Sequence, residues 1–342
     1  MSGPPVRVLI VDDSASMRAA LNRILSSDPE IEVVGLAPEP SAARAMIKDL
    51  NPDVLTLDIE MPGMDGLSFL ERIMRLRPMP VVMCSTLTAR GAEATIEALR
   101  LGAVDCIAKP TGNPLEIARD SARLCATVKA AARSTVRRAP DAIVPVTSGA
   151  PGSLRDVVIA IGASTGGVEA LFSILKALPA DFPPILVVQH MPAAFTPGFA
   201  ARLHKECALR VTEAQDGIAV ERGNVYIAPG GLTHMELMGG VHGRIKLRAT
   251  DPVGGHRPAV DVLFRSVSQI GAAAIGVVLT GMGADGAEGL LAMRTAGART
   301  LGQSKETCVV YGMPRAAFAL GAVGREVDLS AMPEAILGAC RK

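Results

Sequence analysis

Three residues that could together carry out hydrolysis, Ser164, His190 and Asp285, stand close behind apolar runs in the second half of the chain. The runs are residues 157–163, 185–189 and 275–280. If they are parallel strands of one sheet, their carboxyl ends share the edge where open α/β sheets place their sites. A serine becomes a strong nucleophile when an imidazole takes its proton and a carboxylate fixes the tautomer of that imidazole. The pattern therefore predicts a serine hydrolase with Ser164 as nucleophile, His190 as base and Asp285 as the partner of the base.

The segment around Ser164 has the G-x-S-x-G spacing of a nucleophile at a strand-to-helix turn, with Gly162 and Gly166 on either side. A glycine-rich turn can also bind phosphate or serve packing alone, but the chain lacks the lysine and the acid that complete such phosphate motifs. The backbone N–H of Thr165, at the start of the next helix, is a predicted oxyanion donor. A second donor is expected from the glycine-rich loop at Met282.

Two of these assignments have competing interpretations. Of the five histidines, His234 and His256 fall in predicted loops and could also serve the site, but only His190 directly follows a strand. Asp285 could instead cap the helix that follows it, since aspartate is a common N-cap. The chain order Ser, His, Asp differs from the Ser, Asp, His order of α/β hydrolases, so we expect a differently wound sheet.

A second group of polar residues follows the apolar runs of the first third of the chain. Its acidic members are Asp12, Asp13 and Asp58. Three carboxylates at one sheet edge repel one another, and Mg²⁺ would compensate their charge with oxygen ligands. We expect Asp13 and Asp58 to be direct ligands, the Glu60 carbonyl to be a third, and Asp12 to act through water.

The same edge carries Ser85 and Lys109, each behind its own apolar run. A carboxylate held against Mg²⁺ can attack an in-line phosphoryl donor, which makes Asp58 the predicted phosphorylation site. Ser85 and Lys109 would then bind the phosphoryl oxygens. The competing interpretation is that each of these polar residues merely caps a helix.

The hydrophobic pattern predicts two doubly wound α/β domains with parallel sheets. The first would have strands at residues 6–11, 33–35, 54–57, 81–84 and 104–108, and a last helix that starts near Pro114. After Leu154 the alternation of strands and helices returns and is expected to continue to the end of the chain. We predict one domain over residues 1–130, a linker over 131–153 that is rich in Pro, Gly and Ser, and a second domain over 154–342.

Composition excludes several classes of function. Residues 154–342 carry eighteen Lys and Arg against sixteen Asp and Glu, and the whole chain has a net charge of +1, so no nucleic-acid partner is expected. The longest apolar stretch is far shorter than the roughly 20 residues of a spanning helix, and the N-terminus lacks the apolar region of a signal peptide. We expect a cytoplasmic protein that is not embedded in a membrane.

The polar group of the first domain lies within four short motifs. They are Asp12-Asp13, the run from Asp58 through Glu60 and Pro62-Gly63 to Asp65-Gly66, Ser85, and Lys109-Pro110. Through these motifs residues 6–125 resemble the response-regulator receiver family. The resemblance implies a flavodoxin-like fold and a chemotaxis histidine kinase as phosphodonor. Cys106 stands where receivers usually carry an aromatic residue, so the side chain on which the usual readout depends is absent.

The second domain carries a longer set of motifs. They are residues 162–167 around Ser164, Gln189-His190-Met191-Pro192, residues 195–200, Ala228-Pro229-Gly230, residues 257–264 and residues 279–286. Through them residues 154–340 resemble the catalytic domain of the chemotaxis protein-glutamate methylesterases. The resemblance implies a Rossmann-like sheet, a Ser164, His190 and Asp285 triad without a cofactor, and methylated glutamyl side chains of chemoreceptors as substrates. It also implies deamidation of certain receptor glutamines.

The sequence permits alternatives for the second domain, for Arg257 and for the regulation by the first domain. The second domain could be an esterase for a small soluble ester, or a catalytically dead adaptor gated by phosphorylation. Arg257 could bind an acidic receptor surface or form a structural ion pair. We expect the unphosphorylated first domain to cover the edge that holds Ser164, and phosphate on Asp58 to favour an open arrangement.

Overall fold

The structure is a computed structural model that describes residues 4–61, 65–86, 88–109, 114–134, 146 and 154–341, with the backbone alone at 89, 90 and 114–120. The chain divides into two units, Met1–Ala139 and Pro140–Lys342. The last helix of the first unit ends at Ala132, two residues beyond the expected boundary at 130. Most of the predicted linker, residues 131–153, lies outside the described residues.

The first unit is a five-stranded parallel sheet in the order β2-β1-β3-β4-β5. Its strands are β1 (Val6–Val11), β2 (Ile31–Ala37), β3 (Val54–Asp58), β4 (Val81–Ser85) and β5 (Asp105–Ala108). Its helices are α1 (Ala15–Leu25), α2 (Pro40–Leu50), α3 (Gly66–Leu76), α4 (Ala89–Arg100) and α5 (Pro114–Ala132). Every residue of β3 and β4 is buried, as expected for strands covered by helices on both faces. The predicted doubly wound first domain is confirmed.

The second unit contains a seven-stranded parallel sheet in the order β14-β13-β12-β6-β7-β9-β8. Its strands are β6 (Val158–Ala163), β7 (Ile185–Gln189), β8 (Arg210–Glu213), β9 (Asn224–Ile227), β12 (Ala274–Val278), β13 (Arg299–Gln303) and β14 (Arg325–Val327). Its helices are α6 (Gly167–Ala177), α7 (Thr196–Glu206), α8 (Val260–Ser268), α9 (Ala287–Thr295), α10 (Met313–Ala319) and α11 (Met332–Cys340). The three runs that carry the predicted hydrolase residues form the adjacent strands β12, β6 and β7.

The expectation that strands and helices alternate to the end of the chain is wrong between α7 and α8. This region contains β8, β9 and a separate antiparallel pair, β10 (His234–Met238) and β11 (Arg244–Arg248). The sequence of β11, Arg-Ile-Lys-Leu-Arg, alternates charged and apolar residues. Such a period of two suits a ribbon with one buried face rather than a strand covered on both faces.

In the described part of the chain, no helix combines the length and the apolar character that crossing a bilayer requires.

Candidate active site

Ser164 directly follows β6 and His190 directly follows β7, and these two strands are adjacent in the sheet. Ala163 pairs with Gln189 in the sheet, and the N–H of His190 donates to the Ala163 carbonyl at 3.0 Å. The buried side-chain amide of Gln189 donates from Nε2 to the carbonyls of both Ser164, at 2.9 Å, and His190, at 3.2 Å. A single amide therefore ties together the main chains of the predicted nucleophile and the predicted base.

The loop after β12 is a further partner of Ser164. The N–H of Ser164 donates to the Thr280 carbonyl at 3.1 Å. A Cβ atom added to Gly281 would lie 2.8 Å from the Cβ of Ser164, closer than real Cβ atoms approach. The same Cβ would lie still closer to Sδ of Met313, so a side chain at Gly281 would press on both Met313 and the predicted nucleophile. The hydroxyl of Thr280 also donates to the Thr165 carbonyl at 3.0 Å, which fixes the turn that follows Ser164.

His190 is bonded to Asp285 through Nε2, which lies 2.8 Å from Oδ2, and both side chains are almost fully buried. Because an ionised carboxylate accepts hydrogen bonds, Nε2 carries the proton and Nδ1 keeps its lone pair. Nδ1 is buried and has no hydrogen-bond partner within the described part of the chain. It is therefore the ring atom of His190 that is left to take a proton, whereas in the chymotrypsin-type triad that atom is Nε2. Oγ of Ser164 is not hydrogen-bonded to Nδ1 in this structure, so the serine–histidine contact of the predicted triad stays a prediction.

The Asp285 carboxylate lies at the first turn of α8. Oδ2 also accepts from the N–H of Val260 at 2.7 Å, and Oδ1 accepts from the N–H of Asp261 at 3.0 Å. Burial alone would raise the pKa of Asp285, but the bonds from His190, Asp261 and Val260 outweigh it and lower the pKa. Asp285 is thus held ionised at a helix N-terminus.

The competing interpretation of Asp285, as a cap of the helix that follows it, does not agree with the structure. The helix that follows it, α9, begins after Gly286 without a side-chain cap. Asp285 instead accepts hydrogen bonds at the start of α8, 25 residues earlier in the chain.

The two alternative histidines have different positions. His234 is fully buried in β10, where Nδ1 accepts from the N–H of Ala259 at 3.1 Å and Nε2 lies 3.0 Å from the Asp251 carbonyl. Both nitrogens of His234 are therefore committed to backbone partners. His256 lies at the site: its ring is stacked on that of His190 with the centroids 3.9 Å apart and the planes at 3°.

Arg257 is bonded to main-chain oxygens. Its Nε donates to the Gly231 carbonyl at 2.8 Å, and a terminal nitrogen donates to the Thr250 carbonyl at 3.0 Å. These contacts are with main-chain carbonyls and not with the carboxylate of an ion pair, and the binding of an acidic receptor surface stays a prediction.

The two predicted oxyanion donors are Thr165, which follows Ser164, and Met282, which follows Gly281. Thr165 is buried and directly precedes the left-handed Gly166, which is the N-cap of α6. Met282 is partly buried. Their donor role stays a prediction.

Sequence reasoning missed the residues that hold this site, namely Gln189 and Thr280, and left the place of His256 open. Gln189 and Thr280 share a signal that could have identified them. Each is a polar residue at the end of an apolar run, and each is almost fully buried. A buried polar side chain must find hydrogen-bond partners, and at a strand end those partners belong to the site.

The predicted phosphorylation site of the first unit is built around Lys109. Its Nζ lies 2.9 Å from Oδ2 of Asp12 and 2.8 Å from Oδ2 of Asp58. Burial raises the pKa of Asp58, with the nearby charge of Asp12 adding to it, and this outweighs the lowering by Lys109. Burial would lower the pKa of Lys109, but its bonds to Asp58 and Asp12 raise it. Lys109 therefore stays charged between two buried carboxylates.

The fit of this pocket to Mg²⁺ rests on its oxygen ligands. Asp12, Asp13 and Asp58 each offer a carboxylate oxygen, and these atoms lie within 4.8 Å of one another. One lysine balances only part of their charge, and hard oxygen ligands are those that Mg²⁺ prefers. The residues present fit the ion. The Glu60 N–H donates to Oδ1 of Asp58 at 3.2 Å, whereas its carbonyl stays a predicted ligand.

Ser85 lies in β4 and Cys106 lies in the adjacent strand β5. The buried hydroxyl of Ser85 donates to the Thr86 carbonyl at 3.0 Å. Cys106 is buried, its Sγ lies 3.6 Å from the hydroxyl of Thr95, and burial raises the pKa of this thiol to about 12. At the position of the usual aromatic residue the chain therefore has a small, uncharged side chain packed under α4.

Comparison with protein-family models matches residues 8–118 to the response regulator receiver domain and residues 159–336 to CheB methylesterase. A protein-glutamate methylesterase/protein-glutamine glutaminase 1 from Caulobacter vibrioides is 56% identical over 341 residues, which cover 97% of each chain. This chain belongs to the CheB methylesterase family. A Bordetella bronchiseptica member, a protein-glutamate methylesterase/protein-glutamine glutaminase, is 52% identical and covers 97% of this chain and 96% of its own.

The catalytic part of this CheB-family chain also resembles a solved structure. The crystal structure of the Thermotoga maritima CheB methylesterase catalytic domain superposes with a TM-score of 0.52 and 39% identity, and covers 53% of this chain and 97% of that one. Family membership confirms the predicted resemblance, the two α/β domains and the assignment as a hydrolase.

Proposed function

We propose that this chain removes methyl esters from glutamate side chains of methyl-accepting chemotaxis receptors, releases methanol, and deamidates particular receptor glutamines to glutamate. The observation that carries the proposal is the hydrogen bond between His190 and Asp285, 2.8 Å long, next to a serine whose main chain is bonded to Gln189 and Thr280. Membership in the CheB methylesterase family supplies the substrate class.

Acylation begins at Ser164. Its Oγ attacks the ester carbonyl while Nδ1 of His190 takes the hydroxyl proton. The imidazolium that forms is stabilised by the Asp285 carboxylate, which the first turn of α8 keeps ionised. The backbone N–H groups of Thr165 and Met282 would stabilise the oxyanion. The C–O bond then breaks, and the methoxide leaves as methanol with the proton from Nδ1.

Deacylation repeats the same proton transfers with water. Nδ1 of His190 takes a proton from the water, the hydroxide attacks the acyl carbonyl, and the proton returns to Oγ of Ser164 as glutamate leaves. A glutamine amide follows the same path with ammonia as the leaving group. Deamidation therefore needs no further residue, and neither reaction needs a cofactor in this domain.

The receiver supplies the regulation in this proposal. In this proposal the receiver extends to the end of α5 at Ala132, the linker follows, and the catalytic domain begins at residue 154. A chemotaxis histidine kinase would phosphorylate Asp58, and Ser85 and Lys109 would bind the new phosphoryl oxygens. Mg²⁺, held by Asp13, Asp58 and the Glu60 carbonyl with Asp12 acting through water, would neutralise charge during the transfer. Such a kinase and its Mg²⁺ imply a cytoplasmic protein.

The receiver is proposed to inhibit the catalytic domain until Asp58 is phosphorylated. Each tenfold activation requires about 1.4 kcal/mol of differential stability between the closed and open arrangements. The isolated catalytic domain of the Thermotoga maritima relative is known as a separate structure, so deletion of residues 1–140 is a practical test. The deleted form should be more active than the unphosphorylated full chain, and equal activity would contradict inhibition by the receiver.

The experiment that tests the function measures methanol release from receptor membranes carrying labelled methyl groups. Wild type should release methanol, faster with a small-molecule phosphodonor, and Ser164→Ala should release none above background. Asp58→Asn should keep the basal rate and lose the stimulation. A wild-type protein that hydrolyses generic soluble esters but not the receptor esters would contradict the proposed substrate, and activity of Ser164→Ala equal to wild type would contradict the proposed nucleophile.

A further inference from the structure

The stacked pair of His190 and His256 is an arrangement that the triad itself does not require. The two ring centroids are 3.9 Å apart and the planes differ by 3°. The hydrogen bond from Nε2 to Asp285 fixes one atom of the His190 ring, but it does not by itself set the plane of the ring. A second ring that lies flat on its face restricts rotation out of that plane.

The main chain around His256 is held firmly enough to act in this way. Val253 and His256 exchange two backbone hydrogen bonds, each 3.0 Å long, across a tight turn. The turn is made by Gly254 and Gly255, whose φ angles of 59° and 83° lie in the left-handed region that favours glycine. On the far side, the carbonyl of Arg257 accepts from the N–H of Gly231 at 3.0 Å.

The base of this loop is closed by two further side chains. The Arg257 guanidinium donates to the Thr250 carbonyl at 3.0 Å, and Nε2 of the buried His234 lies 3.0 Å from the Asp251 carbonyl. The His256 ring therefore extends from a segment that is bonded at both ends and across its turn, not from a loose loop.

We propose that His256 is a positioning residue, whose ring holds the imidazole plane of His190 so that the lone pair of Nδ1 points at Oγ of Ser164. Nδ1 is buried and bonded to nothing in the described part of the chain, so no hydrogen bond sets its direction before substrate binds. The inference rests on the proposed function, in which Nδ1 is the basic atom.

The test compares three variants of the full chain, namely His256→Ala, His256→Gln and His256→Phe. Ala removes the ring, Gln keeps a polar side chain without a ring, and Phe keeps a ring that cannot titrate. The first readout is the rate at which a fluorophosphonate labels Ser164, with Ser164→Ala as background. The second is kcat and KM for methanol release from receptor membranes. Circular dichroism monitors folding.

We expect Ala and Gln to lower the labelling rate and kcat by about 3- to 10-fold, the range that the energy of an aromatic pair allows, with KM unchanged. Phe should stay close to wild type. A Phe variant as slow as Ala, or an Ala or Gln variant as fast as wild type, would overturn the proposal. If Ala does not fold, the contrast between Phe and Gln decides.

The two readouts also separate this inference from the proposed function. Wild type that is labelled at Ser164 but releases no methanol from receptors would contradict the proposed substrate. The labelling rates of the variants would still decide whether His256 orients the base.

Discussion

Replacement of Asp285 by asparagine probes the arrangement on which the proposed mechanism depends. Oδ2 of Asp285 accepts from both Nε2 of His190 and the N–H of Val260, and Oδ1 accepts from the N–H of Asp261. An asparagine has one accepting oxygen and one donating NH₂ group, so it cannot satisfy all three donors.

Both orientations of the new amide impair the base. If the oxygen replaces Oδ2, the NH₂ group faces the N–H of Asp261 and the imidazolium loses a charged partner. If the amide is turned around, Nε2 of His190 must accept, so the proton moves to Nδ1 and the basic atom is lost. A charge-assisted hydrogen bond contributes about 1.5–3 kcal/mol, which corresponds to roughly 10- to 100-fold in rate, and the wrong tautomer can cost about 10⁴-fold.

We therefore expect Asp285→Asn to reduce kcat/KM by about 10²- to 10⁴-fold. The assay is methanol release, supported by the rate of Ser164 labelling. The matched control is Asp261→Asn, because the side chain of Asp261 accepts from the N–H of Gly289 at 2.7 Å and an asparagine oxygen can replace it there. Burial also raises the pKa of Asp261, with the charge of Asp285 adding to it, so a neutral side chain suits that site. If Asp285→Asn lost no more activity than Asp261→Asn, the reasoning would be refuted.

Three further predictions concern Gly281, Lys109 and the pH dependence of the contribution of Asp285. Gly281→Ala should lower the labelling rate of Ser164 by at least about 10-fold, because a displacement of the nucleophile of about 1 Å can cost about 10²-fold. The control is Gly338→Ala, where a Cβ meets nothing within 4 Å and the labelling rate should not change. Lys109→Met should lower the free energy of unfolding of the receiver at pH 7, measured by urea denaturation, by about 3–5 kcal/mol, as for a buried ion pair that loses one partner. Adding Asp58→Asn to the Lys109→Met chain should restore part of this lost stability. Folding lowers the pKa of Asp285, so the contribution of its carboxylate to stability is present above the ordinary carboxyl pKa of about 3.9 and is lost as pH falls through the lowered value. The difference in unfolding free energy between wild type and Asp285→Asn should therefore narrow below about pH 4. A difference that is independent of pH would contradict the lowered pKa.

The sequence predicted the strands that precede the site residues more accurately than the region between α7 and α8. The strands β1 and β7 begin and end at the predicted residues, because short runs of buried apolar residues bounded by polar ones report strand position directly. The prediction of further alternation of strands and helices is wrong for the region of β8 to β11, where strands of only four or five residues follow one another without a helix between them. The period of two in β11 is the signal that could have identified the antiparallel ribbon. The deviation does not affect Ser164, His190 or Asp285, which follow strands of the main sheet.

By itself, the sequence determined which chemical groups the chain has and at which sheet edge they gather, because hydrophobic periodicity reveals where each strand ends and parallel strands end together. The tertiary structure alone decided how those groups are oriented. Nε2 of His190 is bonded to a carboxylate 95 residues away, that carboxylate accepts from a helix that precedes it in the chain, and His256 stacks on the ring of the base. Such contacts are short and directional, and they depend on how distant elements pack, which no local pattern of burial records.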